Sequence, residues 1–278
     1  MQRLVRPVIL LILTATLTAC GTTYQLPEIG DAQTQQASKM FAEARSEGPR
    51  SALSEAAAEQ RFRRVAARVS QVGNQACKAA TASTKNFNCG VNIAIDRTMS
   101  DRNAYFTYDG AQPVIRISMP LLRDSESDDE VAFILSHEYG HLIGKHIEKQ
   151  QQQALAGALI LGVLTAAVNA QTASNGGYYD PNSVSRNMDI GAAAGSMAYS
   201  QAYELESDTL GTRITAAAGY DPVEGAKYFA RSEKPQTTAG NLSFWGTHPP
   251  DAKRLATVLA TVEQIKSHVA LTLNPTTH

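Results

Sequence analysis

Apolar side chains fill residues 131–135 and return at Leu142 and Ile143, with too few polar positions between 128 and 144 to give a helix a wet face. The pattern predicts a largely buried helix. Ser127 with Glu130 three residues later is a capping-box signature that fixes its start. Upstream, Phe62, Val65, Ala66, Val69 and Val72 recur at three- and four-residue steps, which predicts an amphipathic helix over about 51–76; a shorter one is expected near 39–45. Residues 92–96 and 114–118 read as strands, the second alternating apolar and polar positions as an edge strand does. Residues 154–170 are a 17-residue apolar run, short of the roughly 20 needed to cross a bilayer, and read as a buried helix. Gly191-Ala192-Ala193-Ala194-Gly195 opens a second small-residue helix reaching Glu204, able to pack closely against the first as a hairpin. The stretch 172–187 between them is expected to be a mobile loop, and residues 21–37, rich in Thr, Gln and small residues, a flexible tether.

The buried helix carries His137-Glu138-Tyr139-Gly140-His141. Polar groups in such a place need partners, and a metal supplies them. Residues four apart share a helical face, so His137 and His141 project together and can bind one tetrahedral Zn²⁺. Glu138 lies about 100° round the helix from His137. From there it can take a proton from a water on an open metal position and pass it to a leaving amine. A catalytic zinc usually has three protein ligands, so one must come from elsewhere. Tyr203-Glu204-Leu205-Glu206-Ser207-Asp208 offers it. Glu204 and Asp208 share a face, and Glu206 points about 200° away from Glu204. Glu204 is the expected ligand, and Asp208 the acceptor that fixes the tautomer of a ligand histidine. The competing reading of these acids is an ordinary acidic helix face. His146 falls about 140° from His141 on a continuous helix and is expected to be solvated or hydrogen-bonded.

A His-Glu-x-x-His helix followed 63 positions after His141 by Glu-x-x-x-Asp resembles the gluzincin metallopeptidases, with a spacing similar to the HtpX and CAAX-prenyl-protease superfamily. Asn103-Ala104 ahead of the strand at 113–118, Ala218-Gly219-Tyr220-Asp221-Pro222, and Thr247-His248-Pro249-Pro250 followed by Arg254 are similar to segments of that superfamily. The likeness covers about residues 60–260 and is greatest to periplasmic lipoprotein members of the LoiP and BepA kind. Ser207 stands where alanine is usual, Tyr105 where phenylalanine is, and the glycine-rich segment before the strand is reduced to Asp109-Gly110-Ala111-Gln112. None of these departures removes a catalytic group. The resemblance implies an α+β, mainly helical, zincin-like domain with a small sheet whose edge strand borders the active-site cleft. It implies one Zn²⁺ per chain on His137, His141 and Glu204, with Glu138 as base. It also implies that His248 or Arg254 stabilises the charged tetrahedral intermediate. For His248 the alternative is a structural turn residue. The stretch 172–187 would gate the cleft.

Lys+Arg 25 against Asp+Glu 26, with no basic cluster or base-stacking motif, gives no reason to expect nucleic acid as a partner. Arg3, Arg6, an apolar core at 8–13 and Leu17-Thr18-Ala19-Cys20 read as a lipoprotein signal, cut before an acylated Cys20. Gly21, not Asp, follows the cysteine, so the likeness to lipoproteins implies outer-membrane sorting in a diderm bacterium, with the protein facing the periplasm. Cys77 and Cys89 remain, an even pair expected to form a disulfide in an oxidising compartment. The expected organisation is a signal peptide at 1–19, a lipidated tether at 20–45 and a zinc metallopeptidase domain at 46–278. The expected function is lipid-anchored metalloendopeptidase action on unfolded or misfolded envelope proteins, with the outer-membrane assembly machinery as a partner. The alternative is a zinc-dependent assembly factor or chaperone with little proteolysis, which would have no need of Glu138 beside the metal pair.

Overall fold

A computed structural model describes residues 21–197, 200–233 and 243–275; the signal segment and Cys20 lie outside the described residues. The elements run α1 (Asp31–Ser46), α2 (Glu55–Ala80), β1 (Asn92–Asp96), β2 (Ala104–Asp109), β3 (Gln112–Ser118), α3 (Met119–Asp124), α4 (Asp128–Ile143), α5 (His146–Ser174), α6 (Pro181–Met197), α7 (Ser200–Ala217), α8 (Pro222–Ala230), α9 (Phe244–Thr247) and α10 (Ala252–Lys266). They fall into two compact units. The larger spans residues 24–144 and 204–272; the smaller contains residues 145–203 with the chain ends. The fold is α+β and mainly helical, with a small sheet, as the sequence predicts.

In the larger unit α4 is the centre of the core. Val131, Ala132, Phe133, Ile134 and Leu135 have no exposed surface. Ser127 caps the helix by accepting the N–H of Glu130 at 3.1 Å. The return half of the capping box is shifted: the Glu130 carboxylate accepts from the Glu126 N–H at 2.7 Å and from Arg50 at 2.6 and 2.8 Å. Two glycines let α7 cross α4 closely. A Cβ on Gly140 would stand 2.6 Å from Ser207 Cα, and one on Gly211 would stand 3.0 Å from the His137 nitrogen. α8 packs on the start of α4, where Gly225 leaves room for the Asp129 carbonyl. Asp221 caps α8 and Asp251 caps α10, each by accepting backbone N–H groups of the first turn.

The sheet has the order β1-β3-β2, with β1 parallel and β2 antiparallel to β3. The strand expected at the edge is therefore the central one, and β2 is an edge. The alternation was misleading because Ser118, a polar position, faces inward: its hydroxyl caps α3 and accepts the Asn103 N–H at 3.0 Å. Asn103 leads into β2, and Phe244 donates its N–H to the Arg102 carbonyl at 2.8 Å, so the beginning of the edge strand abuts α9.

Part of the expected tether is helix. Ala37, Met40 and Ala44 form a thin buried stripe on α1, which packs against α8 and α10. Ala, Gln and Ser suit a helix as well as a linker, and the narrow stripe hid among them. Before α1, Tyr24 is buried, and its N–H donates to Glu206 Oε1 at 2.6 Å. Cys77 and Cys89 have Cα atoms 5.8 Å apart, inside the range a disulfide bridges.

The smaller unit is built on the α5–α6 hairpin. Gly157 and Gly191 let the two backbones touch, and Gly162 lies under Met188. The buried helix expected over 154–170 is instead largely exposed: Leu155 is 61 %, Val163 61 % and Val168 65 % accessible. An apolar sequence predicts burial only where other elements supply cover, and α6 covers one side alone. The loop expected over 172–187 shrinks to 175–180, because Pro181 starts α6 and Asn169 ties the turn to the Asp180 carbonyl at 2.7 Å. Lys145, with φ +56°, breaks the chain between α4 and α5, so no common helical register links His141 to His146. His146 is buried and stacks on Tyr203 with ring centroids 4.5 Å apart.

Candidate metal centre

All the candidate catalytic and metal-binding side chains lie in the larger unit. α4 supplies His137, Glu138 and His141; α7 supplies Glu204 and Asp208; the turn after α9 supplies His248; α10 supplies Arg254. Donor atoms of His137, His141, Glu204 and His248 all lie within 4.8 Å of one another. His137 and His141 bring their Nε2 atoms to 3.0 Å. Glu204 sets Oε2 3.4 Å from His137 Nε2 and Oε1 3.4 Å from His141 Nε2. A tetrahedral ion with donors at about 2.0–2.1 Å holds them about 3.3–3.4 Å apart, so these separations fit one metal ion. Glu204 Oε2 also lies 3.2 Å from Arg254 Nη1, yet it accepts a well-aligned hydrogen bond from neither neighbour. A buried carboxylate oxygen left in that condition is suited to a cation.

Asp208 is the anchor behind the donors. Its Oδ1 is 3.0 Å from His137 Nδ1, which directs Nε2 of the same ring towards Glu204 and His141. Arg254 holds Asp208 from the other side with two hydrogen bonds, 2.8 Å from Nε and 2.7 Å from Nη2. The guanidinium stacks over Phe229 at 4.2 Å and is buried. Burial opposes the imidazolium of His137, but the Asp208 carboxylate beside Nδ1 and the Glu204 carboxylate beside Nε2 outweigh it and push its pKa up to about 9. The negative potential that retains a proton there also attracts a divalent cation. Burial likewise opposes the Glu204 carboxylate, but His248, Arg254 and His137 hold its pKa well below the usual carboxylate range. Asp208 is also depressed, with Arg254 and His137 overcoming burial.

Glu138 is 1 % exposed, and its Oε1 lies 3.3 Å from His248 Nε2 without a well-aligned hydrogen bond. His248 is fixed from behind: Nδ1 lies 2.9 Å from the Thr247 hydroxyl and 3.2 Å from the Phe244 carbonyl, and the ring stacks on Phe244 at 4.8 Å. Thr247 reaches Asn103 Oδ1 at 3.3 Å, which joins the His248 turn to the start of β2. Glu206 stands apart from this group on the Tyr24 N–H. Sequence reasoning missed Phe229, whose ring packs 5.0 Å from His137 and also under Arg254. It also missed the glycine pair. Gly140 lies inside the His-Glu-x-x-His motif and was readable as a close-approach position, whereas nothing local marks Phe229.

Comparison with known proteins gives a match to the model of Peptidase family M48 over residues 63–262. The beta-barrel assembly-enhancing protease of Yersinia pestis is 23 % identical over 172 residues, 61 % of this chain and 34 % of that protein. Metalloprotease LoiP of Escherichia coli (strain K12) is 29 % identical over 154 residues, 55 % of this chain and 56 % of that one. The mitochondrial metalloendopeptidase OMA1 of Saccharomyces cerevisiae is 26 % identical over 173 residues, 59 % and 44 % of the two chains. The chain thus spans from about a third to just over half the length of these relatives.

Proposed function

The chain belongs to peptidase family M48, and on that premise we propose that it is a zinc-dependent metalloendopeptidase, anchored to the outer membrane through an acylated Cys20, that hydrolyses unfolded or misfolded envelope proteins. The observation that carries the reading is the convergence of His137, His141, Glu204 and His248 within 4.8 Å. His137, His141 and Glu204 would hold the metal. Bound there, Zn²⁺ would polarise a peptide carbonyl and acidify a water. Glu138, buried beside this group, takes the proton of the attacking water and returns it to the leaving amine. Asp208 fixes the orientation of His137. Arg254 is spent on Asp208 and Glu204, so we assign it to positioning them. His248 is then the better candidate to stabilise developing negative charge.

The name of one relative, the beta-barrel assembly-enhancing protease, supports an envelope role, and that of another, Metalloprotease LoiP, supports metal-dependent proteolysis. Contact with outer-membrane assembly machinery belongs to the same proposal. A second reading, an assembly factor with little proteolysis, draws support from His248: its approach to Glu138 would restrain the resting site. Cleavage of casein or an unfolded outer-membrane protein tests the choice. The purified protein is expected to cleave, to stop with a chelator and to regain activity with zinc. Glu138→Gln should retain zinc and lose a thousandfold or so in rate. A zinc-loaded, folded parent chain without turnover would favour the second reading.

A further inference from the structure

α5 departs from what water permits a free helix. Residues 150–179 contain no Asp, Glu, Lys or Arg. α6 covers one side of α5, where Gly162 and Gly157 meet it. The other side exposes Leu155, Leu159, Val163, Leu164 and Val168, all more than half accessible. A helix apolar all round is ordinarily inside a protein core or in lipid. Only 17 % of the most apolar stretch of α5 is buried by protein. At the turn of the hairpin, Tyr178 is 80 % and Tyr179 40 % exposed, the residue type that collects at membrane interfaces. α6 carries the polar complement, with Arg186, Asn187 and Asp189, and Asp180 precedes it.

The choice of occupant comes from the N-terminal segment. Thr23 accepts a hydrogen bond from Lys149, on the first turn of α5, at 2.7 Å. Asn274 holds Thr22 at 2.8 and 3.0 Å. Thr23 is three positions after Cys20, a reach of about 10 Å at full extension. A lipid on Cys20 would therefore bring the base of α5 to the membrane surface. We propose that the exposed face of α5 is a second membrane contact, lying in the interface of the bilayer that holds Cys20, with α6 on its water side. Its choice of occupant rests on the lipoprotein reading given above; the apolar face itself does not.

The test uses the full chain, produced in a bacterial envelope and reconstituted in phosphatidylethanolamine–phosphatidylglycerol vesicles. Val163→Cys carries an environment-sensitive fluorophore, and Lys85→Cys, exposed in the larger unit, is the control. Zinc content equal to the parent's verifies that each variant is folded. Nitroxides on the lipid acyl chains are expected to quench the label at 163 at least about twice as strongly as the label at 85. Mass spectrometry of the same samples reports the acyl group on Cys20. Quenching at 163 without acylation would remove the anchor and leave the membrane contact standing. Acylated, vesicle-bound protein with no quenching at 163 would overturn the contact alone. Disulfide-linked pairs of unlabelled Val163→Cys chains, again without quenching, would overturn it in favour of a second copy on that face.

Discussion

Glu204 and Glu206 are two positions apart on one helix and do unrelated things. Glu204 faces His137 and His141, whereas Glu206 holds the Tyr24 N–H. Glu204→Ala is expected to weaken zinc binding by at least about a hundredfold, since the proposed site loses one of its three protein donors. Glu206→Ala should keep the zinc and lose about 1–3 kcal/mol of stability, because a buried N–H loses its acceptor. Metal content after dialysis and urea unfolding of both variants check this; equal zinc loss would refute it. His248→Ala is expected to retain zinc and lower the cleavage rate, because the proposed donor to the developing negative charge is lost. Initial rates on casein at matched zinc content decide the point, and a higher rate would mean that the approach of His248 Nε2 to Glu138 at 3.3 Å restrains the resting site. At this scale much was readable in the sequence. The period of 3.6 separates Glu204 from Glu206 before any coordinates are known. The partner of Arg254 was not readable, because a guanidinium on α10 carries no local sign that it will close on an aspartate 46 positions earlier.

The helix start that presents His137 is itself fastened by charge. Asp128, in the first turn of α4, receives Arg64 at 2.7 Å and Arg61 at 3.2 Å, both from α2. The hydrogen bond from Arg64 leads the causes that lower the Asp128 pKa below its ordinary value. A depressed carboxylate stabilises the fold above its unfolded pKa, and the contribution is lost as pH falls through the folded value. Asp128→Asn should therefore cost about 0.5–1 kcal/mol at pH 7, a modest figure because the pair is partly exposed. The gap between variant and parent should close below about pH 4. Urea titrations at a series of pH values measure it, and a gap that widens with acid would contradict the pairing. Among the elements, α2 and α4 were legible because each has a clear apolar period or a continuous buried run. The position of β3 was not, since alternation reports which face of a strand is wet and not which neighbours pair with its edges. α5 reads as a core helix by composition and is an exposed one by position. A helix apolar on all sides carries no sign of which side the tertiary arrangement will cover.

In the larger unit, the metal group draws on three stretches of chain: residues 137–141, Glu204 and His248, separated by 63 and 44 positions. The family match over 63–262 encloses all three. The motif spacing leaves the order of assembly untouched. That order follows from loop closure. Bringing such distant donors together carries an entropic cost that the chain meets only once its helices are docked. Beyond His137 and His141 the donors are distant in sequence, so zinc is not expected to template early folding. Its effect falls on escape from the native state. With free zinc a hundredfold above its dissociation constant, the folded protein gains about 2.7 kcal/mol. If the site forms only after the transition state, the gain should appear almost wholly as slower unfolding. Stopped-flow refolding rates with zinc and with chelator should agree, while unfolding should slow by about a hundredfold with zinc. Faster refolding with zinc would place the site in the folding nucleus. If the rates behave as expected, the ion is a latch, closed last, and the lifetime of the folded chain follows the local zinc supply.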